Sequence, residues 1–115
     1  MTKSPVIRVL FVDDNPDLCT IFRMLLESSG DFSVQTSVSA RDALAFLNEN
    51  TADAIISDYS MPEMNGIEFL EVIRKRYPQM PFIILTGDDS KEIAINALNS
   101  GADFYQNKSE RIDIQ

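Results

Sequence analysis

Two short stretches restrict the fold of this chain more than any other feature. "DAIIS" (residues 53–57) and "PFIILTG" (residues 81–87) are apolar at almost every central position. A strand with one wet face alternates between apolar and polar residues. A strand covered on both faces does not, and such strands belong to parallel sheets sandwiched between helices. The rest of the chain agrees. "VIRVLFV" (6–12) and the β-branched "FSVQTSV" (32–38) read as strands. "ADFYQNK" (102–108) reads as a fifth, short one. Segments with helical spacing separate them.

The first of these, "NPDLCTIFRMLLESSG", repeats Leu18, Ile21, Phe22, Leu25 and Leu26 on one apolar face. Asn15 suits its N-cap, Pro16 its first position and Gly30 its end. "SARDALAFLNEN" places Ala40, Ala43, Leu44 and Leu47 together. "GIEFLEVIRKRYP" turns Ile67, Leu70 and Ile73 inward and stops at Pro78. "SKEIAINALNSG" is a fourth helix closed by Gly101, and "SERIDIQ" starts a fifth that is cut short. Strand and helix alternate throughout, which predicts a doubly wound α/β fold: five parallel strands in flavodoxin-like order 2-1-3-4-5, helices on both faces.

With 115 residues, the chain is one domain. It carries eighteen acids against ten Lys and Arg, a net charge of −8. That balance argues against nucleic-acid binding through this domain, which needs clustered cations. The absence of histidine removes His-based triads and His-ligated metals. Cys19 is the sole cysteine and cannot form an internal disulfide. "MTKSP" lacks a signal-peptide core, and no apolar run approaches the roughly 20 residues of a membrane span. The expected location is cytoplasmic.

Sites in open α/β sheets form outside the carboxyl ends of the strands, where the strand order switches. Here the first strand ends in Asp13 and Asp14, the third in Asp58, and the fourth in Thr86; Lys108 follows the fifth. Strands one and three are neighbours at the switch, so three carboxylates converge. Such a cluster needs a cation. An oxygen-only donor set without histidine suits a hard ion such as Mg²⁺. A carboxylate beside it can act as a nucleophile toward phosphorus and form an aspartyl phosphate. Each residue alone has a plainer role, as a loop acid, a turn former, a strand threonine or a solvated lysine. Their joint placement at four strand ends favours a site. The calcium-loop-like start "DDNPDLCTIFRM" fails, because Leu18 and Met24 stand where that loop needs glycine and glutamate.

"VDDN", "SDYSMPEMNG", "ILTG" and "GADFYQNK" occur in the order and with the separations of one known family. From about Val6 to Lys108 the chain resembles the receiver domain of two-component response regulators. The resemblance implies that Asp58 accepts a phosphoryl group from the phosphohistidine of a sensor histidine kinase or a phosphotransfer domain. It implies Mg²⁺ (or Mn²⁺) bound by Asp13, Asp14, Asp58 and the backbone carbonyl of Ser60, one of the acid pair acting through water. It makes Thr86 the switch hydroxyl, Lys108 the phosphoryl-binding lysine and Tyr105 the switch aromatic. The modified domain would present a changed surface to an output domain or partner protein, with phosphorylation-dependent dimerisation as a further mode. Residues 1–115 would then be a receiver domain cut from a longer multidomain protein. It would catalyse its own phosphorylation and dephosphorylation without being a conventional turnover enzyme.

Two features depart from that pattern. Ser109 follows Lys108 where the family usually has proline, often with a cis bond. A cis bond before a non-proline residue costs about 3 kcal/mol. A strained cis bond that keeps the ammonium at the site is expected. The truncated fifth helix is the other departure. Two alternatives from other classes stand beside the switch. One is a phosphatase resembling haloacid-dehalogenase-like enzymes, which place a second aspartate where this chain has Asn15. The other is a receiver-like binding module that is never phosphorylated.

Overall fold

A computed structural model describes residues 6–87 and 91–108. The elements run β1 (Ile7–Val12), α1 (Pro16–Glu27), β2 (Phe32–Ser37), α2 (Ala40–Glu49), β3 (Ala54–Asp58), α3 (Gly66–Arg76), β4 (Phe82–Thr86), α4 (Lys91–Asn99) and β5 (Phe104–Asn107). All strand pairs are parallel, in the order β2-β1-β3-β4-β5. The expected doubly wound topology is therefore present. The fifth helix expected at "SERIDIQ" lies outside the described residues.

The two apolar strands are buried as their composition requires. Ile55, Ile84 and Phe82 join Leu10 and Val12 in the larger core, under α2, α3 and α4. Ile56, Ile83 and Leu85 face the other side, with Val9 and Phe11. There α1 covers the sheet: Phe22 stacks on Phe11 with ring centroids 4.6 Å apart, and Leu26 and Cys19 complete the contact. Helices thus pack on both faces. Phe104 sits beside Ile83 in the β4–β5 register yet is 68% exposed.

One detail of the expected core is corrected. Ile21 and Leu25 do not face inward; each is half exposed. The inward stripe of α1 is Cys19, Phe22 and Leu26, spaced i, i+3, i+7. The apolar arc of this helix is wider than its contact with the sheet, so its flank stays in solvent.

Local signals set the helix starts near the site. The Asn15 side chain accepts from the backbone N–H of Asp17 at 3.0 Å and caps α1. Asn65 and Glu68 form a reciprocal capping box on α3. Among the described residues there is no cis peptide bond. The Lys108–Ser109 bond lies outside them.

Candidate functional site

The acids converge because β1 and β3 are adjacent and end at the same level. Asp13 follows β1 and Asp58 closes β3; both are buried, at 1% and 4% exposure. Asp14 is exposed. One carboxylate oxygen from each of Asp13, Asp14 and Asp58 falls within a set no wider than 4.8 Å. The sequence placed these three together, and the fold does bring them together.

Asp13 is held by four contacts. Its backbone N–H donates to Ser37 O at 3.1 Å. Its Oδ1 accepts the Asn15 N–H at 2.9 Å, an Asx turn that leads the chain into α1. Its Oδ2 accepts Lys108 Nζ at 2.7 Å. The Cys19 thiol donates to the Asp13 carbonyl at 3.3 Å. Burial, then the nearby Asp13 charge, pushes that thiol pKa up, so Cys19 is a packing residue and not a nucleophile.

Lys108 reaches the acids from the far side of the sheet. Its backbone N–H donates to Thr86 O at 2.7 Å, which fixes the end of β5 against the end of β4. Its ammonium lies 3.0 Å from Asp58 Oδ1 as well as against Asp13. Burial alone would lower the lysine pKa, but the hydrogen bonds to Asp13 and Asp58 outweigh it and raise the pKa. The Asp58 pKa is also raised. Burial dominates there, and the Asp13 charge adds to it against the opposing pull of Lys108. The Ser60 backbone N–H also contacts the Asp58 carboxylate, and Ser60 itself is exposed.

Thr86 is buried at the end of β4, next to Leu85, the cross-strand partner of Asp58. Tyr105 is half-buried in β5 and packs on the α2–α4 side of the core. In the parallel register, Thr86 pairs with Asn107 and Tyr105 with Ile84. Thr86 and Tyr105 therefore share a sheet face as diagonal neighbours. Tyr105 pairs two positions before Thr86 along β4, further from the strand ends.

The loop from Asp58 to α3 carries two features of its own. The Met64 N–H donates to Pro62 O at 2.8 Å across Glu63, whose φ is +70°. This is a γ-turn of the strained hand. Gly66 donates its N–H to Tyr59 O at 2.8 Å and packs its Cα on the Asp58 carbonyl. This packing shows why glycine is needed at position 66. The Asx turn at Asp13 was legible in principle, since Asp and Asn two apart at a strand end are its ordinary signal.

The donor set fits a hard divalent cation. It offers only oxygens, three carboxylates within reach of one ion, and one resident ammonium that leaves the cluster net negative. A parallel α/β sheet with a buried carboxylate, an acid pair and a lysine at its switch point defines a class of phosphoacceptor domains. Comparison with known proteins names it: residues 9–113 match the response regulator receiver domain family, and the chain belongs to that family. It is 40% identical over 105 residues to a putative NtrX-like response regulator of Rickettsia bellii, covering 90% of this chain and 22% of that protein. Similarity to the transcriptional regulatory protein ZraR of Salmonella typhimurium is also 40%, over 86% of this chain and 22% of the relative. Among solved structures, the chemotaxis protein CheY4 of Vibrio cholerae superposes with a TM-score of 0.86 at 31% identity, covering 93% of this chain and 90% of that one. The chain thus spans about a fifth of the length of these curated relatives. Among the described residues, no helix is long and apolar enough to cross a membrane.

Proposed function

We propose that this domain is the phosphoacceptor switch of a two-component phosphorelay and that Asp58 is the modified residue. The observation that carries the reading is the seat of Asp58: a nearly buried carboxylate at the sheet switch point, with Lys108 at 3.0 Å and the Asp13–Asp14 pair beside it. An Asp58 oxygen attacks phosphorus, the P–N bond of a phosphohistidine breaks, and the imidazole leaves. Lys108 is placed to neutralise a phosphoryl oxygen, and Thr86 to donate to another. Asp13, Asp14, Asp58 and the Ser60 carbonyl would hold Mg²⁺ or Mn²⁺, which offsets negative charge on the phosphoryl group.

Phosphorylation would then shift a population. Thr86 turns toward the phosphoryl group, and Tyr105 follows into the space it leaves. The surface so altered includes α4, where Ile95 and Leu98 are exposed, and β5. The donor is a sensor histidine kinase or a phosphotransfer domain. The reader is an output domain or partner protein, or a second copy in a phosphorylation-dependent dimer. Residues 1–115 serve as the receiver unit of a longer, cytoplasmic protein. The hydrolase alternative needs an acid at position 15, and the Asn15 side chain is committed to capping α1.

Treatment with acetyl phosphate and Mg²⁺, followed by mass spectrometry, tests the assignment. Stoichiometric modification should appear in the wild type and vanish in Asp58→Asn. Modification of that variant at the wild-type extent would reject Asp58 as the acceptor. Continued turnover of acetyl phosphate without labelling would favour a hydrolase.

A further inference from the structure

We propose that Asn65–Gly66 is a self-modification site, where Asn65 loses its side-chain amide to attack by the Gly66 backbone nitrogen whenever the loop behind Asp58 opens. Of the asparagines in this chain, Asn65 alone precedes glycine. A glycine carries no Cβ and turns freely, so its nitrogen approaches a neighbouring carboxamide more easily than that of any other residue. The step balances with water as the only co-reactant. The Gly66 N–H gives its proton to solvent base, and the nitrogen attacks Asn65 Cγ. The Cγ–Nδ2 bond breaks, ammonia leaves, and a cyclic succinimide closes. Water then opens the ring at either carbonyl, giving aspartate or isoaspartate at position 65. Nothing is oxidised or reduced.

The closed loop holds this reaction in check. The Gly66 N–H donates to Tyr59 O at 2.8 Å, and the residue is buried. A succinimide nitrogen carries no hydrogen, so the ring cannot form while that contact lasts. The Asn65 carboxamide is engaged as well: its Oδ1 accepts the Glu68 N–H at 2.9 Å, and Glu68 Oε1 accepts the Asn65 N–H at 3.0 Å. Two observations favour opening. Asn65 is only partly buried, so water reaches it. Two residues earlier, Glu63 sits at φ +70°, a strained conformation that relaxes when the loop lets go. The two products differ in consequence. Aspartate keeps the backbone, and its carboxylate suits a helix N-terminus. Isoaspartate carries the main chain through Cβ and adds a methylene next to Gly66, where even a Cβ would stand 2.5 Å from the Asp58 carbonyl oxygen. That product pushes the start of α3 off the back of Asp58. The modification stands on the loop geometry alone; its effect on labelling rests on the phosphoacceptor reading above.

The test incubates the chain in mildly alkaline buffer at physiological temperature, with and without urea, and maps its peptides by mass spectrometry. Conversion in the folded protein should concentrate at Asn65 and run about tenfold or more slower than in urea, because the loop must open first. Glu68→Ala, which removes half of the capping box, should convert about fivefold faster than wild type, the ratio that loss of a helix cap gives to an opening equilibrium. Conversion spread over the other asparagines, or equal rates in the folded and unfolded chain, would overturn the proposal. So would an Asn65 that stays intact in the folded protein while it converts in urea, or a Glu68→Ala rate no higher than that of wild type. The isoaspartate form, separated by chromatography, should unfold at lower urea and label Asp58 several-fold more slowly than Asn65→Asp, which has the same charge and an ordinary backbone. If the two match in both respects, the altered backbone is harmless and that consequence is overturned. If acetyl phosphate labels neither wild type nor Asn65→Asp, the phosphoacceptor reading fails, while the peptide map and the urea midpoints still decide the modification.

Discussion

The Cα of Gly66 lies against the carbonyl oxygen of Asp58, so close that a Cβ there would stand 2.5 Å from that oxygen and 2.9 Å from the Tyr59 Cα. Both neighbours are backbone, and neither can rotate away. The first residue of α3 is therefore a brace behind the proposed phosphoacceptor. Gly66→Ala should destabilise the domain by about 2 kcal/mol, the scale of overpacking a rigid contact. It should also slow labelling of Asp58, because relief requires the β3–α3 loop to move. Urea unfolding gives the first quantity and acetyl phosphate labelling the second. A variant as stable as wild type would mean the loop yields freely and the brace is unimportant.

Glu63 presents the opposite case, a side chain where glycine would be easier. Its φ of +70° lies in the left-handed region, and the residue is exposed. A non-glycine residue held there costs on the order of 1–3 kcal/mol, partly offset in glycine by the greater freedom of its unfolded chain. Glu63→Gly should raise stability by about 1 kcal/mol, seen as a higher urea midpoint at unchanged slope. A loss of stability would mean that the turn is held by Glu63 side-chain contacts and not by its neighbours.

A carboxylate at the end of α1 protects the edge of the sheet. Glu27 Oε2 accepts the Val34 N–H at 2.8 Å, and among the described residues β2 is an edge strand of the sheet. That N–H, with Arg23 assisting, holds the Glu27 pKa below the ordinary glutamate value. A depressed folded-state pKa contributes stability above the unfolded value of about 4.3, and the contribution is lost as pH falls through the folded one. Wild type should therefore lose stability faster than Glu27→Gln as pH drops below about 4.3. The Val34 amide should exchange faster in Glu27→Ala. Parallel acid profiles for wild type and Glu27→Gln would remove Glu27 from the account.

Much of this was legible in the chain, and the reasons differ by residue. The unbroken apolar runs of β3 and β4 demanded two covered faces, so the parallel sheet and its order followed. Asp13, Asp14, Asp58 and Lys108 could be grouped because strand ends in such a sheet share one rim. The helix faces were less readable. Ile21 and Leu25 fit the period of α1, but which part of a wide apolar arc meets the sheet depends on how the helix lies, and periodicity does not encode that. Gly66 and Glu63 were hidden for a related reason: their roles depend on backbone contacts between residues close in space and on a φ value, neither of which has a composition signal. The double engagement of Asp13 joins a local turn to a lysine 95 positions away. Sequence grouped Lys108 with the acids at one rim, but its direct pairing with Asp13 is visible only in the fold.

The proposed link from Thr86 to Tyr105 can be separated from phosphorylation itself. Thr86 is buried at 1% exposure, and Tyr105 is its diagonal neighbour on the same sheet face. In the proposed switch the threonine hydroxyl senses the phosphoryl oxygen, whereas attack on phosphorus belongs to Asp58. Thr86→Ala should therefore still be labelled at Asp58, at a stability cost of about 1 kcal/mol for one buried hydrogen bond. What it should lose is the response of Tyr105. In the wild type, beryllofluoride with Mg²⁺ should displace the Tyr105 ring resonances; in Thr86→Ala that displacement should largely disappear, and Thr86→Ser, which keeps the hydroxyl, should restore it. If the Tyr105 ring responds fully in Thr86→Ala, the hydroxyl is not the connection. The signal would then have to reach β5 through Lys108, which contacts Asp58 through its ammonium and Thr86 only through backbone.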